Sequence, residues 1–318
     1  MEWSTVAFVF PGQGSQVVTM GKDFADAYPA ARDLFQQADE ILGFALSDLC
    51  FNGPEAILND TLNTQPALYV CGAAILQALK AELPDARPAF VAGHSLGEFT
   101  ALYAAGALSF DDGLRLVRER GRLMQAAGEE QPGAMAAILG LDADAVREVC
   151  ERAASETGGV LVLANDNCPG QVVISGDNAA LEQGLLLAKA AGAKRAIKLA
   201  VSIAAHSSLM QSVSERFARA LAETRFNAPE TPVYANVSAA PLADVDAIRQ
   251  ELEAQLTSSV RWTESVRAMI ADGAELFLEL GPKDVLSGLL KRIDGSKTGV
   301  PLNSVANLQQ FLEQHQSQ

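Results

Sequence analysis

The chain has 318 residues, with 24 Lys and Arg against 39 Asp and Glu, a formal charge of −15. That balance excludes a protein that grips nucleic acid through its bulk charge, although a local basic patch remains compatible with it. Hydrophobic residues at 49% and charged residues at 20% predict a large packed core, drawn mainly from Ala, Val, Leu and Ile because aromatics are only 6%.

In chain order, Val6–Phe10 is a short β-prone apolar run that stops at Pro11-Gly12, the pattern of a buried strand entering a loop. Helices are predicted around Asp23–Ile41 and Thr64–Leu83, the second with Pro66 in its first turn. Pro88–Ala92 reads as another buried strand, Glu98–Ala105 as a helix that Gly106 can end, and Asp111–Ala127 as an Arg-rich helix. From Gly133 the rhythm changes. A strand (Ala134–Leu141), a helix capped by Asp142, two strands (Val160–Ala164 and Gln171–Ser175) joined by a loop containing Asn165, Asp166, Asn167, Pro169 and Gly170, a helix capped by Asp177, and a strand (Lys194–Ala200) follow in turn. That β-α-β-β-α-β order is the ferredoxin-like motif, here a unit of roughly 70 residues. Beyond it come a helix (Ser207–Ala222), a strand (Pro232–Asn236), helices near Asp246–Leu256 and Thr263–Ala271, a strand (Glu275–Leu280), and Val285–Ile293 after the Gly281-Pro282 turn. The last twenty residues are polar, with one weak amphipathic turn at Leu308, Phe311 and Leu312. The strand–helix alternation predicts an α/β fold with a mainly parallel sheet.

Cys50, Cys71, Cys150 and Cys168 form no C-x-x-C pair and suggest neither a zinc site nor a disulfide framework, so a reducing compartment is expected. Met1-Glu2-Trp3-Ser4 lacks the basic start of a secretory leader, and no apolar run approaches the roughly 20 residues that span a bilayer. A cytoplasmic protein is expected.

The strongest chemical signal is Gly93-His94-Ser95-Leu96-Gly97, a G-x-S-x-G between a predicted strand and a predicted helix. The glycines permit a cramped turn that lifts the Ser95 hydroxyl clear of the chain, and the helix N-terminus below it offers free N–H groups to a developing oxyanion. A serine nucleophile needs a base, and histidine is the usual one. His315 lies in the polar tail and reads as a bystander. His94 adjoins the serine on a sharp turn, where neighbours point apart, and reads as a supporting residue. His206, on a loop before a helix, is the candidate base. Asp166 and Asp177 fall between Ser95 and His206 in the chain, but both suit loop and cap roles. The 112 residues after His206 also depart from the plain hydrolase order, which puts the histidine near the end. Pro11-Gly12-Gln13-Gly14-Ser15-Gln16 fits neither nucleotide-binding fingerprint, since Val17 stands where a Rossmann loop needs glycine and Gln16 where a P-loop does. Close backbone approach at its glycines can instead supply a second oxyanion donor.

FVFPGQGSQ, TQPAL, GHSLGE, RERGRLMQ, GAMAAILG, NCPGQVVISG, the His206-Ser207 pair, QLTSSVRWTESV and ELGPKDVLSGL, in that order from Thr5 to Ile293, together resemble the malonyl-CoA:acyl carrier protein transacylases of type II fatty-acid synthesis and the acyltransferase domains of polyketide synthases. The resemblance implies a hydrolase-like parallel-sheet core (1–131 and 201–318) carrying an inserted ferredoxin-like subdomain (132–200). It implies ping-pong transfer of malonyl from coenzyme A to the phosphopantetheine thiol of acyl carrier protein through a malonyl-serine. Ser95 then matches the nucleophile and His206 the base. Gln255 matches the position whose main-chain carbonyl orients the histidine, and Gln13 and Leu96 match the oxyanion-hole amides. Arg120, 25 positions after Ser95, matches the arginine that binds the free malonyl carboxylate; His94 joins it among the substrate-binding positions. Leu96 accompanies malonyl specificity, whereas Ala205 before the histidine leaves room for methylmalonyl. The resemblance also implies a monomer without metal or bound organic cofactor, partnered by malonyl-CoA and the carrier protein and by neither nucleic acid nor membrane. Carriers are acidic, so Lys189, Lys194, Arg195 and Lys198, or Lys283, Lys291 and Arg292, are candidate docking patches. A trans-acting polyketide acyltransferase, a thioester hydrolase using the same Ser95 and His206, and an inactive carrier-binding scaffold are the alternatives.

Overall fold

The computed structural model describes residues 2–316, with side chains to Gln314. Met1, Ser317, Gln318 and the side chain of His315 lie outside the described residues. Among the described residues ten strands make two sheets: β1 (Val6–Phe10), β2 (Phe90–Gly93), β3 (Gly133–Leu139), β4 (Leu161–Cys168), β5 (Gln171–Asp177), β6 (Arg195–Lys198), β7 (Val233–Tyr234), β8 (Pro241–Leu242), β9 (Leu276–Glu279) and β10 (Thr298–Pro301). The larger sheet runs β10-β9-β1-β2-β7-β8, parallel from β10 to β7, with β8 antiparallel at the edge. The chain is thus a mixed α/β protein built on a parallel sheet.

β1 lies near the middle of that sheet and shows why it forms. All five residues are buried, and they alternate between two cores. Val6, Phe8 and Phe10 join the larger core under the helices 61–82 and 110–130. Ala7 and Val9 face the smaller one with Trp262 and Leu289. A strand covered on both faces reads as a continuous apolar run. The second sheet, β4-β5-β3-β6, is antiparallel throughout and is covered by the helices Ala143–Thr157 and Asn178–Ala190 with an apolar core of its own. Asp142 and Asp177 cap those helices as expected, accepting from Ala145 N–H at 2.8 Å and Ala180 N–H at 2.9 Å.

Several elements differ from expectation. The stretch Asp23–Ile41 is two helices, Lys22–Ala27 and Pro29–Leu42, because Tyr28 is held extended before Pro29. Short helices at Leu46–Asn52 and Glu55–Leu58 fill what read as loop. The central helix starts at Thr61, capped by Asp60, so Pro66 lies inside it. Proline cannot donate to the carbonyl four residues back, and that carbonyl, Leu62 O, instead accepts from Arg118 Nη1 at 2.7 Å. β4 continues through Asn165, Asp166 and Asn167, with register shifts, where a loop was expected. The tail adds β10 and the helix Val305–Gln316, which buries Leu308, Phe311 and Leu312. All four cysteines are buried free thiols. Among the described residues no helix is long and apolar enough to cross a membrane.

Candidate active site

β1 and β2 are adjacent and parallel, and the loops at their carboxyl ends carry Gln13 and Ser95. Such carboxyl ends are where open α/β sheets gather ligands. Ser95 has φ +52°, in the left-handed region that non-glycine residues enter only when the surroundings hold them there. Two glycines allow the turn. A Cβ on Gly93 would stand 1.9 Å from the Gly97 carbonyl carbon, and one on Gly97 would stand 2.0 Å from Phe10 O. Asn236, fully buried, pins the turn: its Oδ1 accepts from Ser95 N–H at 2.6 Å and its Nδ2 donates to Gly93 O at 2.7 Å.

His206 faces the serine, with Nε2 2.9 Å from Ser95 Oγ. Its Nδ1 lies 2.8 Å from Gln255 O and 3.1 Å from Ser258 O. Both are carbonyls, so Nδ1 carries the proton and Nε2 presents the lone pair. Burial, and next the Arg120 charge, push the imidazole down to about 3. His206 is therefore a neutral acceptor at physiological pH, and it too holds a left-handed backbone, φ +59°. Neither Asp166 nor Asp177 replaces those carbonyls. Asp166 accepts from Thr263 Oγ1 at 2.7 Å, and Asp177 caps Ala180 and holds Val160 N–H.

Arg120, on the helix 110–130, reaches under the serine. Nη1 donates to Gln65 Oε1 at 2.8 Å, and Nη2 to Gln255 Oε1 at 2.9 Å and Ser95 Oγ at 3.1 Å. The side chain is buried, and its Nε has no acceptor. Burial lowers the guanidinium to about 10, with the nearby Glu98 pulling it back up, so it stays charged at neutral pH. A buried cation with an orphan N–H beside a nucleophile is a site for an anion, because that N–H loses its water without compensation until an acceptor arrives.

Gln13, His94, Ser95, Leu96, Arg120 and His206 line one cavity of about 160 Å³ together with Asn165, Asn167 and the apolar side chains of Met124, Met135, Val173, Leu199 and Ala205. Among the described residues no acceptor takes the backbone N–H of Gln13 or of Leu96, whereas that of Ser95 is taken by Asn236. Thr61 Oγ1 donates to Gln13 Oε1 at 2.8 Å and anchors that loop. His94 Nε2 is 2.7 Å from Asn167 Oδ1, and its ring meets Trp262 edge-on at 5.6 Å. Burial lowers its pKa. A second cavity of about 420 Å³ shares Gln13 and is walled by Asp60, Gln125, Glu129 and Ser202.

Sequence and structure comparisons meet this geometry. The acyl transferase domain family matches residues 7–311. The chain belongs to that family. It is 46% identical to the malonyl CoA-acyl carrier protein transacylase of Haemophilus influenzae over 95% of this chain and 96% of that protein. It superposes on the crystal structure of the malonyl-CoA:acyl carrier protein transacylase of Xanthomonas oryzae pv. oryzae with a TM-score of 0.94 at 46% identity, over 99% of each chain. It also superposes on a malonyl transacylase solved in complex with its type II polyketide acyl carrier protein, with a TM-score of 0.94 at 42% identity, over 98% of this chain and 99% of that one.

In this acyl transferase every site residue read from the sequence converges on one cavity except Gln255, which lies directly behind it. The reading missed the supports. Besides Asn236 and Gln65, Glu98 is fully buried: Oε1 accepts from Asn236 N–H at 3.0 Å and Oε2 accepts from Gln255 Nε2. Burial and the neighbouring Glu251 raise the Glu98 carboxyl, against the pull of those two donors and Arg120. GHSLGE and TQPAL contain Glu98 and Gln65, so the motifs held the signal without a role attached. Of the basic clusters, Lys198 is paired with Glu182 at 3.0 Å, while Arg292 is spent on Gln171 and Pro169 O. Arg195 is exposed at the start of the edge strand β6, and Lys194 is exposed just before it.

Proposed function

We propose that this acyltransferase moves malonyl from malonyl-CoA to the phosphopantetheine thiol of acyl carrier protein through a malonyl-Ser95 ester. The activity is that of the relatives it matches along almost their whole length. One observation carries the acyl group: Arg120, whose Nη2 reaches Ser95 Oγ, keeps its Nε buried without an acceptor. A malonyl ester puts a carboxylate where that N–H and Nη2 can hold it as a pair; an acetyl ester leaves it unmet.

In the first half-reaction His206 Nε2 takes the Ser95 hydroxyl proton as Oγ bonds to the thioester carbonyl carbon. The negative oxygen of the tetrahedral intermediate is held by the Gln13 and Leu96 amides. Its collapse breaks the carbon–sulfur bond, and the departing thiolate takes the proton from His206. In the second half-reaction the carrier thiol gives its proton to the same nitrogen, its sulfur bonds to the acyl carbon, and Ser95 Oγ leaves with that proton. Gln255 O, with Ser258 O, keeps the imidazole proton on Nδ1 throughout. His94, tied to Asn167, walls the acyl slot, and the cavity beyond Gln13 suits the uncharged pantetheine arm shared by donor and acceptor. Leu96 and the apolar wall favour malonyl; Ala205 leaves room for a 2-methyl group. Nothing in the reaction calls for a metal or a bound organic cofactor. A cytoplasmic setting fits these partners.

The same reading describes the architecture as a hydrolase-like core (1–131 and 201–318) interrupted by a ferredoxin-like subdomain (132–200). The strand order β4-β5-β3-β6, all antiparallel with two helices on one face, supports the latter. The deciding experiment is intact mass spectrometry after incubation with malonyl-CoA. A malonyl adduct that maps to Ser95 and passes to holo carrier protein supports transfer. Release of free malonate instead points to a thioester hydrolase, and absence of an adduct to a carrier-binding scaffold.

A further inference from the structure

Gln255 is held at four points. Its main-chain carbonyl accepts from His206 Nδ1, its Oε1 accepts from Arg120 Nη2, and its Nε2 donates both to Ser95 O at 3.1 Å and to Glu98. An amide has one accepting and one donating end, and only its partners decide which way round it sits. Here Glu98 decides. A carboxylate accepts on both oxygens, so it can take Gln255 Nε2–H and Asn236 N–H together. With Nε2 committed to Glu98 and Ser95 O, Oε1 is forced toward the guanidinium. Glu98 meanwhile touches neither Arg120 nor Ser95 Oγ through any hydrogen bond. It stands on the first turn of the helix that follows the nucleophile, one layer beneath the reacting atoms.

From this, and resting on the malonyl-transfer reading above, we infer that Glu98 is a positioning residue for acyl choice: it fixes the orientation of the Gln255 amide, and through it the edge of Arg120 that meets the malonyl carboxylate. Replacing Glu98 by glutamine keeps its size but removes one acceptor. If the oxygen of the new side chain serves Asn236, its amide nitrogen faces Gln255 and flips that side chain. Gln255 Nε2 then meets Arg120 Nη2, donor against donor. The guanidinium loses one of its three acceptors and Ser95 O loses the Gln255 donor, while Ser95 Oγ, His206 and the two free amides keep their places. Malonyl transfer is weakened, and acetyl transfer, which uses the guanidinium only through the Nη2 contact to Ser95 Oγ, is largely spared. A residue that merely filled the core would lower both alike.

The test measures kcat/KM for malonyl-CoA and acetyl-CoA with holo carrier protein as acceptor, on the full chain and on Glu98→Gln, with a melting curve for each. The expected result is a malonyl-to-acetyl ratio at least about tenfold lower in the variant, the scale of one hydrogen bond to a charged group. Glu98→Asp keeps both accepting oxygens but withdraws them, and should fall between the two. If Glu98→Gln does not fold, Glu98→Asp decides alone, with an expected drop of about threefold or more. A ratio unchanged from the parent chain, or both constants reduced by one factor, overturns the inference. A parent chain without any preference for malonyl-CoA would instead overturn the proposed function, so the two failures are separable.

Discussion

Replacing Arg120 by alanine removes the guanidinium that spans Gln65, Gln255 and Ser95. In the loaded enzyme the malonyl carboxylate would take two charge-assisted hydrogen bonds from the Nε and Nη2 edge, each worth about 1.5–3 kcal/mol. Together they amount to about 3–6 kcal/mol, or roughly two to four orders of magnitude in kcat/KM at about 1.4 kcal/mol per factor of ten. Acetyl-CoA brings no carboxylate and should lose only the contribution of the Nη2 contact to Ser95 Oγ, a single bond at 3.1 Å. Removing the arginine also strands the amide oxygens of Gln65 and Gln255 in the interior, at about 1–3 kcal/mol each, set against relief of a buried charge. A melting curve therefore accompanies the kinetics. The assay is a competition in which one carrier pool is offered both thioesters and the products are separated by mass. Arg120→Ala should take mostly acetyl. An undiminished malonyl-to-acetyl ratio in a folded variant would refute the assignment of Arg120 to the carboxylate.

Three further outcomes follow from the same geometry. Because burial and the Arg120 charge hold His206 near 3, kcat/KM for malonyl-CoA should show no acid limb near the ordinary histidine value of about 6.5. Once the malonyl carboxylate neutralises Arg120 one of those causes is gone, so the acid limb of the carrier half-reaction should lie at higher pH; coincident limbs near 6.5 in both half-reactions would contradict this. Asn236→Ala leaves Ser95 N–H and Gly93 O without their partners, and should cost about 1–3 kcal/mol in denaturant unfolding while lowering turnover of malonyl and acetyl alike. Reversing Lys194 and Arg195 to glutamate should raise the apparent KM for an acidic carrier, more so at low salt, and spare the malonyl-CoA half-reaction; an equal effect on both half-reactions would remove β6 as a docking strand.

What the sequence exposed and what it hid divide along physical lines. Ser95 stood out because a cramped turn needs glycines at fixed offsets, and His206 because histidines are scarce in this chain. β1 and β2 were visible because a strand buried on both faces must be apolar throughout. Asn236 and Glu98 were not, because their partners are more than 130 residues away in the chain and a single buried polar residue imposes no periodicity. The reach of β4 through Asn165–Cys168 was hidden for a similar reason. Asn, Asp and Pro there have the chemistry of a turn, but Val260 supplies the backbone partner that keeps Asp166 extended, a tertiary contact overriding local preference. The terminal helix was masked by its glutamines, of which Gln309, Gln310 and Gln314 are exposed while Leu308, Phe311 and Leu312 seal the larger core.

That same half of β4 gives the molecule a clasp. β4 pairs with β5 along its whole length, and its middle also binds the segment that leads into the helix Trp262–Ala271: Asp166 N–H donates to Val260 O, Val260 N–H to Ala164 O, Ser259 Oγ to Leu163 O, Thr263 Oγ1 to Asp166, and the His94 ring meets Asn167. These contacts form a short zipper beside the cavity that Asn165, Asn167 and His94 help to line. The cavity is therefore lined from two sheets at once, by Met135, Asn165, Asn167 and Val173 of the second and by Gln13, His94, Ser95 and Leu96 on loops of the first. A substitution at Ser259 or Thr263 would therefore bear on the strand that lines this cavity while leaving Ser95, His206 and Arg120 in place.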